Sequence, residues 1–189
     1  MEKELTKVRI ANPANAVWLS ANAFTKAECE GLVNQMNKDI KDGVIEDDPT
    51  FAAVSFYISD PEVKEREEWK SQDAMLHERL TEVLQQLYDN ITSTYKVNLP
   101  KVWSEDRGYV MVKHTKGFEE ELFCPVKHKH NLIVEIFLTD FAEMTFPLQQ
   151  QTIKPKRGDV LIYPFFWTHP IQIKETKKVC YSLKTVIDG

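Results

Sequence analysis

The sequence predicts an α+β fold, with helices in the first half laid against one side of a barrel or sandwich built by the second half. Three observations predict it. Apolar residues recur at helical spacing from Cys29 to Ile40 and again from Leu76 to Ile91. From Val102 onward the pattern changes to short, closely spaced runs rich in β-branched residues. Within that half, Pro155 to Pro170 reads as a tight turn, a strand and a loop of aromatics. That loop delivers His169 to the start of the next apolar run, Ile171 to Ile173.

The elements follow in order. Val17-Trp18-Leu19 is a first short strand. A helix starts at Thr25, where Thr25 and Glu28 form a capping box, and buries Cys29, Leu32, Val33, Met36 and Ile40. Gly43 is placed to stop it. Phe51 to Ile58 is strand-like, ahead of Asp60-Pro61. A long charged helix then runs from about Glu62 to Tyr95, in one piece or two, with Leu76, Leu80, Val83, Leu84, Leu87 and Ile91 as its stripe. His77 lies beside that stripe among charges, a surface position. Leu99-Pro100 closes the helical part. Strands are expected at 108–114, 132–138, 144–146, 151–153, 159–163, 171–173 and 178–187.

With 189 residues, the chain is long enough to bury a sizeable core and reads as a single domain, residues 1–100 supporting and residues 101–189 forming the barrel. Basic residues number 24 against 29 acidic, a net charge of −5, so no basic surplus marks a nucleic-acid footprint. No apolar run reaches the length of a membrane span. Met1 to Arg9 is charged and lacks the apolar core of a signal peptide. Cys29, Cys124 and Cys180 are an odd set without metal-type spacing, which fits reduced thiols and a cytoplasmic location.

Three stretches together resemble a known family. Val17 to Met36, a strand and then FTKAECEGLVNQM, resembles the opening of prolyl 4-hydroxylase-like proteins. LIVEIFLTDFAEMTF, from Leu132 to Phe146, resembles the family pattern L-T-V-L-L-Y-L-N-D-F-x-G-G-x-T-x-F. Pro155 to Pro170 resembles the strand that carries the family's distal histidine, and CYSLKTVI adds a weaker match to its closing strand. The family is the 2-oxoglutarate- and Fe(II)-dependent dioxygenases. The resemblance implies a double-stranded β-helix (jelly-roll) core from about Val102 onward, with N-terminal buttressing helices.

It also implies a chemistry. The family holds Fe(II) with two histidines and a carboxylate, in the order His-x-Asp and then His, a donor set suited to ferrous iron. A basic residue on the last strand pairs with the distal carboxylate of 2-oxoglutarate. His169 matches the distal histidine, and its alternative is a buried histidine bonded to a backbone carbonyl. No His-x-Asp occurs. Lys127-His128-Lys129-His130 stands before the Leu132 strand, and His128 and His130 point to one side of an extended segment. With His169 they would make a three-histidine site, and Glu135 would complete a loose cupin-like spacing. A gapless fit instead puts Val126 and His128 where the first two ligands belong, and valine does not ligate. An altered site and a decayed one both remain open.

The cosubstrate positions depart as well. His114 takes a place usually held by tyrosine beside 2-oxoglutarate. Cys180 falls where the basic residue belongs, and it cannot give the paired hydrogen bonds of a guanidinium. Lys178 and Lys184 share its strand face by period-two alternation. Lys178 lies nine positions after His169 and is the substitute clamp, with Ser182 assisting. Ala142-Glu143 replaces the family's Gly-Gly. Phe165, Phe166 and Trp167 would line a substrate entrance or form a protein contact.

Two functions follow. One is a small dioxygenase using Fe(II) and 2-oxoglutarate to hydroxylate a protein or peptide side chain, similar to divergent oxygenases of bacteria and their phages. The other is a barrel that has lost catalysis and serves as a structural or binding module, for example an assembly subunit of a phage virion. A cupin-type metal enzyme without 2-oxoglutarate is a third reading.

Overall fold

A computed structural model describes residues 9–12, 16–48, 52–95, 108–123, 131–166 and 168–188. Among them the order is β1 (Arg9–Asn12), β2 (Val17–Ser20), α1 (Lys26–Lys41), β3 (Ala53–Tyr57), α2 (Pro61–Lys64) and α3 (Glu67–Tyr95). The second half contributes β4 (Val110–His114), β5 (Glu120–Phe123), β6 (Asn131–Phe137), β7 (Met144–Phe146), β8 (Gln151–Ile153), β9 (Val160–Pro164), β10 (Ile171–Ile173) and β11 (Cys180–Asp188).

These strands form two antiparallel sheets, ordered β1-β2-β9-β6-β11-β4-β3 and β5-β10-β7-β8. From β4 onward the chain moves back and forth between them, which is the jelly-roll arrangement. The double-stranded β-helix and its N-terminal helical support are as the sequence predicts. Leu99-Pro100 and Val102 lie outside the described residues. The long helix is broken into α2 and α3, with Arg66 N–H bonded to Val63 C=O at 3.0 Å in the turn between.

β1 and β5 were not expected. Each has four residues at the edge of its sheet, and β5 reads Glu-Glu-Leu-Phe, with no apolar alternation to betray it. Lys178 and Val179, expected in the last strand, precede it.

Two cores flank the large sheet. On its outer face Leu32, Met36, Trp69, Leu76 and Leu87 of the helices pack on Val134, Ile136, Ile162 and Leu183. Between the sheets Phe137, Phe141, Met144, Phe146, Leu161 and Ile171 form the barrel interior. Because both faces of β6 are covered, it reads as an almost unbroken apolar run, as doubly covered strands do. Alternation points Ile133, Glu135 and Phe137 inward and Val134 and Ile136 toward the helices.

Polar contacts fix the helices to the sheet. Thr25 and Glu28 form the expected capping box, the Thr25 amide donating to Glu28 Oε2 at 2.7 Å and the Glu28 amide to Thr25 Oγ1 at 3.2 Å. Burial works against the Glu28 charge, but the Thr25 amide and the Arg79 guanidinium outweigh it and hold the carboxyl below its ordinary range. Asp39 is 1% exposed and accepts hydrogen bonds from Trp69 Nε1 at 2.7 Å and from Arg66 at 3.1 and 3.2 Å, tying α1 to α3. Tyr181 Oη donates to Asn37 Oδ1 at 2.8 Å, tying β11 to α1.

The Pro155–Asp159 turn is fixed by glycine geometry. Gly158 has φ +86°, and a Cβ there would stand 2.3 Å from Phe24 O. Its carbonyl accepts the Phe24 amide at 3.0 Å, so the turn before β9 abuts the chain leading into α1. Asp159 closes the turn, accepting from the Asn22 and Lys156 amides at 3.1 and 2.9 Å.

Candidate functional site

The strand pairings define two ends of the barrel. At one end β5 finishes, β6 begins, β9 finishes and β10 begins, since Phe123 pairs with Ile171 and Leu132 with Pro164. At the other, β4 finishes and β11 begins, since His114 pairs with Cys180. His169 stands two residues before β10, at the first end. It is 8% exposed, its Nδ1 lies 2.9 Å from Thr168 Oγ1, and its amide bonds Phe166 C=O at 2.9 Å. A buried imidazole oriented by a neighbour through one nitrogen is how metal-ligating histidines are held. His128, His130 and Trp167 lie outside the described residues. Among the described residues, no three His, Cys, Asp or Glu side chains converge to hold a metal.

His114 and Ser182 meet at the other end, with His114 Nε2 3.1 Å from Ser182 Oγ. Both are buried. The His114 ring packs on Phe118 at 4.6 Å and edge-on to Phe141 at 5.0 Å, and Phe141 packs on Phe137 at 5.1 Å. These rings fill that end of the barrel. Burial, with the Lys184 charge adding to it, pushes the His114 pKa down to about 3, so the imidazole is neutral.

Lys178 is exposed and outside β11. It lines an open depression of about 510 Å³ at that barrel end, shared with the buried Phe141 and Cys180 and with Lys154, Lys174 and Lys177. Cys180 is 1% exposed, and burial pushes its thiol up to about 11, so it carries no charge. The structure therefore brings His114, Ser182 and Cys180 together inside, leaves Lys178 on the surface, and sets His169 toward the opposite end.

The charged groups of the interior are others. Glu135 is fully buried, and neither of its oxygens receives a well-aligned hydrogen bond. Lys184, its register partner across β6 and β11, places Nζ 3.4 Å from Glu135 Oε1, an ion-pair distance without hydrogen-bond alignment. Tyr163 on β9 lies against them. Burial first, then the Glu135 and Glu120 charges and the phenol's interaction with the Glu135 carboxylate, raise it well above the ordinary value, so it stays protonated. Together with Glu120, Phe123 and Phe165 these residues line a cavity of about 210 Å³.

Glu135 and Lys184 are marked in the sequence as the charged positions of two buried strands, LIVEIFL and CYSLKTVI. Period-two alternation places each on the inward face. Their pairing is a matter of register, which the sequence does not state.

No protein-family model matches the chain, and no curated protein matches it in sequence. Solved structures do. A prolyl-4-hydroxylase from Pseudomonas putida superposes with a TM-score of 0.66 at 10% identity, over 93% of this chain and 94% of that one. The chain has the prolyl 4-hydroxylase-like fold. A prolyl hydroxylase from Trichoplax adhaerens, in complex with a hypoxia inducible factor oxygen degradation domain peptide fragment, gives 0.67 at 9% identity over 93% of this chain and 84% of that one. The viral collagen prolyl hydroxylase of Paramecium Bursaria Chlorella virus-1, solved with 2-oxoglutarate, gives 0.59 at 12% identity over 94% and 98%.

Whether this prolyl 4-hydroxylase-like barrel can hold 2-oxoglutarate is a question of charge. The cosubstrate is a dicarboxylate, and it needs a cation inside the barrel without a fixed counter-charge. Cys180 and His114 are neutral, Lys178 is exposed to solvent, and Lys184 is already neutralised by Glu135. The described residues do not fit the cosubstrate. No helix among the described residues is long and apolar enough to cross a membrane.

Proposed function

We propose that the chain is a prolyl 4-hydroxylase-like barrel that works as a binding module for a protein or peptide segment, free or as part of a larger assembly such as a virion. The observation that carries this reading is the Glu135–Lys184 pair. It pairs the interior Lys184 ammonium with a buried carboxylate, so that cation is not free to hold the dicarboxylate an oxygenase of this fold uses.

His169 supports a second reading, a 2-oxoglutarate-dependent hydroxylase of a protein or peptide side chain. In that reading His169, His128 and His130 would hold Fe(II). Lys178 would have to swing inward to clamp 2-oxoglutarate, beside Ser182 and His114. The pair would supply oxidative hydroxylation when bound.

Anaerobic calorimetry of metal-stripped protein separates the two. Fe(II) is titrated first and 2-oxoglutarate second, with succinate release followed in air. The binding-module reading expects no 2-oxoglutarate uptake and no succinate above the protein-free rate. Fe(II)-dependent uptake that is lost in both His169→Ala and Lys178→Ala would overturn it and establish the oxygenase.

A further inference from the structure

We propose that the cavity at the β5–β10 end of the barrel binds an organic cation, an alkylammonium group of the kind a lysine side chain presents, with Glu135 as its counter-ion. The inference rests on the binding-module reading and specifies what the module holds.

Glu135 is the first reason. Its carboxylate is wholly buried and lines the cavity, and although the Lys184 ammonium and the Tyr163 phenol stand near it, neither oxygen receives a well-aligned hydrogen bond. Buried acceptors are almost always satisfied, and a carboxylate left without donors is costly. An ammonium carries three donors and no acceptor, which matches what this carboxylate lacks.

Size and lining agree. The cavity holds about 210 Å³, many times the about 10–15 Å³ that one water needs, so a short alkyl chain has room. Ile133, Met144, Ile171 and Ile173 offer it an apolar wall. Phe123, Tyr163 and Phe165 line the same space, and aromatic rings attract an ammonium within about 6 Å of the ring centre. Phe123 is 43% exposed, so one ring of the lining reaches solvent.

The balance of charge sets the sign. Among the described lining residues two carboxylates, Glu120 and Glu135, face one ammonium, Lys184. An entering anion would meet a net negative lining, and an entering cation a favourable one. Lys184 is the resident competitor. Its Nζ sits 3.4 Å from Glu135 and its side chain is 33% exposed, so it has water to swing toward when another ammonium takes the seat.

The test uses n-butylammonium as probe, with butyrate and n-butanol as controls, followed by the Met144 methyl resonance and the thermal midpoint. Wild type, Lys184→Met and Glu135→Gln are compared, and Lys184→Gln replaces Lys184→Met if that variant does not fold. The expected result is saturable binding of butylammonium alone, at least five-fold tighter without the Lys184 ammonium and at least ten-fold weaker in Glu135→Gln. Equal binding of butyrate, unchanged binding in Glu135→Gln, or no binding once Lys184 is removed would each overturn the inference. 2-Oxoglutarate is titrated into the same samples. Its binding overturns the module reading itself, whereas absence of both ligands overturns only the cation site.

Discussion

Lys184 and Glu135 face each other across the β6–β11 register inside the barrel, with Nζ 3.4 Å from Oε1. The pair decides what the interior can accept. It also makes a stability prediction. Lys184→Met leaves a fully buried carboxylate without its counter-charge. The cost should be about 2 kcal/mol, less than the about 3–5 kcal/mol of a fully buried pair, because Lys184 is partly screened by water. Glu135→Leu combined with Lys184→Met should recover most of it. Urea unfolding of the single and double variants measures both, and a double variant no better than the single one sinks the pairing.

His114 predicts a pH dependence. Its folded pKa of about 3 lies below the ordinary 6.5, so the unfolded chain takes the proton first. The stability this group contributes is whole above about pH 6.5 and is lost as pH falls toward 3, at up to about 1.4 kcal/mol per unit. His114→Phe should flatten the stability profile in that window. A variant profile parallel to wild type would show that the imidazole is not held neutral.

Asp39 should be the most sensitive polar residue of the helical layer. Asp39→Ala strands the Trp69 indole N–H and frees Arg66, both of which now point at its carboxylate. A loss of about 3 kcal/mol in chemical unfolding is expected, since breaking a buried charged network costs about 3–5 kcal/mol. A loss below about 1 kcal/mol would mean that α1 and α3 are held by apolar packing alone.

Gly158 and Gly43 offer a contrast within one experiment. Both have positive φ, +86° and +73°. A Cβ at Gly158 would strike Phe24 O, whereas nothing lies within 4 Å of one at Gly43. Gly43→Ala should cost about 1 kcal/mol, the backbone preference alone. Gly158→Ala should cost at least about twice that and shift amide resonances at Phe24. Equal costs would show that the turn yields freely to the added methyl.

The sequence by itself determined the helical support, the β-barrel and most of the elements in order, though not the edge strands β1 and β5. The reason is that the hydrophobic period is a local property: Cys29 to Ile40 can bury one stripe only as a helix, and Leu132 to Leu138 can be covered on both faces only as a strand. It also placed Gly158 in a turn and His169 at the head of a strand. It offered His114 and Ser182 as cosubstrate residues, and the structure sets their side chains 3.1 Å apart. Other choices belonged to tertiary structure. Period-two alternation put Lys178, Cys180 and Lys184 on one face, but the strand begins at Cys180, so Lys178 escapes to the surface while Lys184 stays inside. The register of β6 against β11 then sets Glu135 beside Lys184. Pairing register couples residues some fifty positions apart through backbone hydrogen bonds, and no local pattern encodes it. That register makes Lys184 half of an ion pair rather than a free cation inside the barrel.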